Sequence, residues 1–347
     1  MQNRWAPWLY LSPSLLILGV FLVYPTVNTV LLSLFDRRSE NFVGVDNYVS
    51  LFSDSVILTA LRNNLLWLVV FTAGTVFLGF FFAVVFDRVR YERLAKSMVF
   101  LPLAISLVGA GVIWKFVYAF KPPQVEQIGL LNAALVALRD VAADPAWHTV
   151  LVVVLVAGAA VSLLLIALAL FRRVVLGVPL AASLALAGGA WFVLGQADFV
   201  PQGWLLLRPW VNNLALITVG VWIWTGFCMV ILSAAYKGIP QAIKEAARID
   251  GANPWQSFWL ITIPMMKSTI AVVATTMVIN VLKIFDVVFV MTGGQFSTEV
   301  IANRMWKEMF VNLNFGRASA IAVILMVAVV PVMLANIRRF REQEAMR

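Results

Sequence analysis

Residues Glu245 to Pro264 read EAARIDGANPWQSFWLITIP, a charged, turn-bearing stretch set between two apolar segments, near 211–235 and 266–291, each long enough to cross a membrane. Pro240 suits the first position of a helix, where a missing N–H costs nothing. Gln241 to Ile249 then have good helix propensity, with Ile243, Ala246 and Ile249 on one side. Asp250 and Gly251 end that helix, because glycine takes the left-handed conformation that lets a chain reverse. Asn253 offers a new N-cap and Pro254 a new first position. The stretch therefore predicts helix, tight turn, helix. Lys244, Glu245, Arg248 and Asp250 are expected toward water, and Trp255, Phe258 and Trp259 toward the membrane interface or the bundle. Physical chemistry alone leaves two readings: an interfacial connector joining two spans, or a rigid knob that transmits force.

The rest of the chain agrees with a membrane setting. It is 62% hydrophobic and 12% charged over 347 residues, with mean hydropathy +0.92, too little polar surface to clothe a soluble globule. Apolar runs of at least about 20 residues recur eight times, near 8–35, 59–86, 97–120, 148–171, 174–195, 211–235, 266–291 and 316–337. The fold class is thus all-α, a polytopic bundle of about eight transmembrane helices. The first run is too long for a removable signal peptide, holds Pro13 and Pro25, and lacks a small-residue cleavage site.

The net charge of +9 does not indicate nucleic acid, because the basic residues lie between spans rather than on one face or arm. With the N-terminus inside, the cytoplasmic segments hold about 15 Lys and Arg, among them Arg88, Arg90, Arg93, Arg172, Arg173, Lys244, Arg338 and Arg339, against about 7 in the longer external loops. An even number of spans then puts both termini in the cytoplasm. The single Cys228 and single His148 exclude structural disulfides and a His/Cys metal cluster within the chain, and Cys228 reads as a packing residue. Residues 148–195 form an almost featureless hairpin of Val, Leu and Ala turned by Arg172 and Arg173, the composition of a lipid-facing addition.

The segment Glu245, Ala246, Ala247, then Asp250, Gly251, Ala252, then Pro264 resembles the EAA loop of permease subunits in ATP-binding-cassette importers, with Ile263 in place of the pattern's leucine. The likeness continues through GFCMVILSAAYKGIP at 226–240 and VLKIFDVVFVMTGGQ at 281–295. It is similar to the sugar-uptake branch, particularly α-glucoside permeases, over nearly all the chain except 148–195. The resemblance implies a six-span core within a single domain, 1–347, with 148–195 as an inserted hairpin and 236–265 as the cytoplasmic coupling loop. It implies a bacterial or archaeal inner membrane, and a complex of this subunit, a second permease, two copies of an ATPase and an extracytoplasmic sugar-binding protein. Glu245, Ala246, Ala247, Asp250, Gly251 and Ala252 would belong to the helix that docks on the ATPase. No cofactor is expected on this chain. ATP and Mg would be held by the partner, in keeping with a sequence that has no Gly-rich phosphate loop with its lysine.

For substrate contact, Thr276, Asn280 and Lys283 follow i, i+4, i+7 spacing, so one helical face is polar and turns to protein or water rather than lipid. Asp286 is one turn from Lys283 and is the expected neutralising partner. These groups either fix helix packing or hydrogen-bond sugar hydroxyls, and in related sugar permeases a polar face of this span contacts the sugar. Trp224 and Phe227 could stack on sugar C–H faces with Thr225 as donor, while Trp222 reads as packing. Asn63, Asn64, Asn212 and Asn213 read as helix caps or interhelical glue, and Gly293 and Gly294 as the turn leaving the membrane. An intramembrane enzyme would need a catalytic constellation at depth that one histidine at a span edge does not supply. A passive channel or scaffold has no use for the EAA-like loop, and an importer of another polar solute remains the alternative to sugar.

Overall fold

The computed structural model describes residues 6–87, 90–122, 124–143, 203–204 and 209–345. The regular secondary structure of the described residues is helical, apart from one isolated bridge between Phe35 and Phe42. The 148–195 hairpin, with His148, Arg172 and Arg173, lies outside them.

The helices used below are α1 (Tyr10–Leu32), α2 (Ser55–Phe86), α3 (Glu92–Phe100), α4 (Leu107–Val117), α5 (Pro209–Lys237), α6 (Gln241–Ile249), α7 (Trp255–Leu282), α8 (Asp286–Met291), α9 (Ile301–Phe310) and α10 (Phe315–Ala345). By length and composition α1, α2, α5 and α7 can each cross a membrane, and the bent pair Glu92–Ala104 with Leu107–Val117 makes a fifth candidate. The apolar part of α10, Phe315–Pro331, is shorter.

Two expected spans differ from expectation. The run near 97–120 is not one straight helix, because its halves meet at 101°. Pro102 sits in a 3-10 turn, Leu101–Ala104, Ile105 is extended, and Ser106 caps the new helix by accepting from the Gly109 N–H at 3.0 Å. The span expected at 266–291 is displaced. It begins at Pro254–Ser257, passes through a π-helical turn at Phe258–Thr262 and ends at Leu282, with α8 as a separate short helix.

At the centre, α2 and α5 run parallel in close contact. Asn213 donates to Asn63 across 150 residues of chain, and Gly79 meets Cys228 at nearly the same offset. A Cβ at Gly79 would lie 2.5 Å from that of Cys228, so glycine permits the approach. Trp67, Phe71, Leu216, Ile217, Ile223, Met229 and Leu232 fill the seam, and Cys228 is buried there as a free thiol.

The end of the bundle away from α6 is tied by polar side chains. Asn63 donates to the Ser297 and Glu299 carbonyls at 2.8 Å each, Asn64 accepts from the Ile301 N–H at 3.0 Å, and Asn212 and Asn213 donate to Phe296 and Ser297. The four asparagines are therefore glue between helices and the 296–301 loop. None of them is an N-cap, since α2 already starts at Ser55 with Asp54 as its cap and the Asn212 amide is spent on Phe296. They hold Phe296 and Ser297 in the left-handed region, at φ 57° and 61°.

Asp54 accepts from Val56 N at 2.8 Å and from Arg317 at 2.8 Å, with Arg304 at 3.7 Å. Burial pushes its carboxyl up, but the Val56 N–H, Arg317 and Arg304 more than offset this and hold it below its ordinary value. Because the folded value is depressed, the stabilisation is complete above the unfolded value of about 3.9 and is lost as pH falls through the lower folded value. Thermal unfolding should show Asp54→Ala destabilised by about 1–3 kcal/mol at neutral pH through loss of cap and ion pair. Asp54→Asn, which keeps a cap acceptor, should lose less, and its Tm should fall less steeply than wild type below about pH 4.

Candidate functional site

Two sites emerge, one at each functional level of the bundle. The first is the turn around Gly251. Pro240 lies just outside α6 rather than at its first position, with extended backbone (φ −55°, ψ 131°), and its carbonyl accepts from Ile243 N at 3.1 Å. At the other end, Ala252 N donates to Ala247 O at 2.9 Å and Gly251 N to Arg248 O at 3.1 Å, while Gly251 has φ +81°. This paired pattern is the Schellman closure, which satisfies carbonyls the helix leaves open and needs a residue at ease with positive φ. No described atom lies within 4 Å of where a Gly251 Cβ would sit, so backbone conformation alone selects glycine.

The next helix opens on a reciprocal cap. Asn253 accepts from Gln256 N at 2.8 Å, and Gln256 accepts from Asn253 N at 2.9 Å. Asn253 and Pro254 thus hold the places expected from sequence, and the Gln256 half of the cap corresponds to the spacing Asn-x-x-Gln. The Lys244 and Arg248 side chains do not simply face water, since both line a cavity on the bundle side of α6 together with Tyr236. Ala247 is buried at 7% exposure, whereas Ile243, Ala246 and Ile249 form an outward face with Ile249 86% exposed. Glu245, Asp250 and Gly251 are exposed beside it, and Ala252 is half-buried. The nine-residue helix thus carries exposed apolar residues on its outward face and is closed at its C-terminal end by the Gly251 turn.

The second site is a cavity of about 180 Å³ at mid-bundle. Phe71, near the middle of α2, and Trp224, near the middle of α5, form part of its wall. Asn280 enters from the last turn of α7, and Lys283, Phe285 and Asp286 from the break that follows. Leu107, the first residue after the 101° bend, also reaches it. Both helix breaks therefore open on this cavity. At membrane depth a non-helical backbone is tolerated only where protein or water satisfies it, and discontinuous helices are a recurrent way to build transport sites. The helices that follow the two breaks pack on one another: a Cβ at Gly111 of α4 would lie 3.2 Å from Val290 of α8.

Of the expected substrate residues, the structure brings together Asn280, Lys283 and Trp224. Asn280 is half-buried and its amide bonds to no other described residue. Lys283 is exposed and is the C-cap of α7 rather than a member of the helix. The expected Lys283–Asp286 ion pair does not occur among the described residues, because the chain leaves the helix at Lys283 and turns at Phe285 (φ −139°, ψ −59°), which breaks the one-turn spacing. Thr276 and Thr225 do not reach the cavity. Their hydroxyls donate to Val272 O at 3.0 Å and Val221 O at 2.6 Å, and Thr225 is buried. Phe227 meets Trp224 edge-on, with centroids 5.7 Å apart, and backs the Trp224 ring from outside the lining, while Trp222 packs on Trp114. Phe71 and Leu107 were missed because nothing marks an apolar residue as cavity-lining before the helices are packed.

A family profile described as "Binding-protein-dependent transport system inner membrane component" matches residues 75–342. The osmoprotective compounds uptake permease protein GgtC of Synechocystis sp. is 52% identical over 98% of this chain and 100% of its own length. The alpha-glucoside transport system permease protein AglF of Rhizobium meliloti is 42% identical over 97% of this chain and 83% of its own. In fold, the chain is similar to a chain of a bacterial ABC transporter involved in import of the acidic polysaccharide alginate, with TM-score 0.68 and 19% identity over 97% and 96% of the two chains. With the family profile matching across most of its length, the chain belongs to the inner membrane components of binding-protein-dependent transport systems.

Proposed function

We propose that this chain is one of two permease subunits of an ATP-driven importer, and that it passes a sugar, an α-glucoside disaccharide or oligosaccharide, through the mid-bundle cavity by alternating access. The observation that carries this reading is the convergence of both helix breaks on a cavity holding an unpaired amide, an unpaired ammonium and an aromatic ring. Neutral polyols suit it: Trp224 offers a face for sugar C–H groups, and Asn280 and Lys283 offer hydrogen bonds to hydroxyls. At about 180 Å³ the cavity falls below the roughly 300 Å³ typical of a complete small-molecule site, which supports a second permease subunit completing it. The name of the 42% identical relative supports an α-glucoside. That of the 52% identical relative supports a second reading, another small osmoprotective solute.

In this reading α6 lies in the cytoplasm, and so do the start of α1 and the end of α10, since α1 runs in the same sense as α7 while α2, α5 and α10 run in the opposite sense between the same two ends. The outward face of Ile243, Ala246 and Ile249, with Glu245, Asp250 and Gly251, docks on an ATPase dimer that binds ATP and Mg. A binding protein on the opposite side delivers the solute. Closure of the ATPase displaces α6. The closed Gly251 turn passes that displacement to α7, and the short 238–240 link passes it to α5, and both helices line the cavity. Thr225, Thr276 and Phe227 act by shaping these helices rather than by touching solute.

The direct test is ATP hydrolysis by the reconstituted complex with its binding protein, scanned over maltose, sucrose, trehalose and monosaccharides. Stimulation by an α-glucoside is expected, and no stimulation by any sugar from a stable complex overturns the sugar assignment. Gly251→Val forces a β-branched residue to positive φ, at a cost of about 1–2 kcal/mol, and should abolish uptake while the chain still inserts. Gly251→Asn, which tolerates that conformation, should retain much of it. Asn280→Ala should lower sugar uptake roughly tenfold with sugar-free ATP hydrolysis unchanged, and unaltered uptake kinetics would make Asn280 a packing residue.

A further inference from the structure

A second cavity of about 180 Å³ lies behind α6, on its bundle side. Lys244 and Arg248, one helical turn apart, meet Tyr236 from the end of α5 and Ser257, Phe258 and Thr262 from the start of α7. No carboxylate lines it among the described residues, and neither cation forms an ion pair with a described residue. The Lys244 ammonium is held 4.2 Å above the Tyr236 ring. Tyr236 and Thr262 are 7% and 6% exposed, yet neither hydroxyl, nor that of Ser257, bonds to another described residue. The α7 wall is the π-helical turn, where Ile263 N reaches back to Phe258 O, a departure from α geometry that often marks a functional position.

Two cations, Lys244 half-buried and Arg248 exposed at the mouth, and three hydroxyls free of other described residues make a donor set without an acceptor. A neutral occupant would leave the half-buried Lys244 charge without an anion. A phosphate presents several anionic oxygens that an ammonium, a guanidinium fork and hydroxyls can each engage. The cavity also sits beside exposed Trp255, Trp259 and Leu260, the signature of the level where bilayer meets water. We propose that this cavity binds the phosphate of an anionic lipid headgroup and thereby bridges α6 to the first turns of α7. The proposal rests on the reading above that this end faces the inner leaflet, where basic pockets between helices meet anionic lipids.

The test uses the assembled importer complex in detergent, titrated separately with phosphatidylglycerol, phosphatidylcholine and inorganic phosphate, with retained lipid read by native mass spectrometry. Wild type should retain phosphatidylglycerol at least about tenfold more tightly than Lys244→Gln/Arg248→Gln. The two should hold phosphatidylcholine equally, and millimolar inorganic phosphate should not displace the lipid. Equal retention of phosphatidylglycerol by both proteins overturns the proposal, and so does its displacement by inorganic phosphate, which makes the occupant a free ion. If the double variant fails to assemble, Tyr236→Phe decides, because it keeps the ring under Lys244 and removes only the hydroxyl. Retention weakened about threefold supports the site, and unchanged retention overturns it. Retention is read without solute or uptake, so a complex that holds the lipid but moves no sugar leaves this site standing while the substrate assignment falls.

Discussion

In hydrocarbon every backbone N–H and C=O must find a partner, and most of this fold follows from where the chain is allowed to stop obeying that demand by helix alone. It stops at two places at mid-depth, Ile105 with Ser106 and Lys283 through Phe285, and both are gathered at one cavity. The Ser106 hydroxyl caps the helix after the first, while Lys283 N–H and Ile284 N–H after the second bond to the Asn280 and Val281 carbonyls. The same packing that makes the breaks tolerable puts Asn280, Lys283 and Trp224 at the place where a solute could meet them.

That arrangement needs a frame that does not yield, and α2 with α5 supplies it. Their parallel contact is dry through Trp67, Phe71 and Met229, close at Gly79, and sealed at one end by asparagines that bind the 296–301 loop. At the other end α5 leads through Gly238 directly into α6. Lys237 there pairs with Glu92 at 2.5 Å, and Lys96 also reaches Glu92 and Ser233. The entry to α6 is thus fastened to α3, the first limb of the bent pair. In the proposed mechanism a displacement of α6 reaches both α5 and this limb, which bends into the Leu107 helix at the cavity. Rigid elements joined by few polar ties are what a two-state mechanism needs, because packed helices shift as bodies rather than deform.

The turn at Gly251 was readable because its requirements are local: a positive φ for which glycine is suited, an Asn to cap, a proline to start. The facing of α6 was less so. Ile243, Ala246 and Ile249 share a side in any helix, but that they look outward while Lys244 and Arg248 border a cavity depends on what α5 and α7 place behind them. The polar residues of α7 show the same divide. Spacing marked a polar face, yet it could not tell that Thr276 would spend its hydroxyl on Val272 while Asn280 would be left free.

What the amino-acid sequence determined by itself is therefore the class of the protein: helices long and apolar enough for a membrane, and a glycine-locked turn between two of them. Hydropathy and turn chemistry are properties of short windows, so they survive without a fold. Tertiary structure decided where the helices break, that α7 starts at the turn and stops at Leu282, that Lys283 and Asp286 stay apart, and which residues line the two cavities. Those outcomes depend on groups far apart in the chain competing for the same hydrogen bonds and the same volume, and no window of sequence contains both competitors.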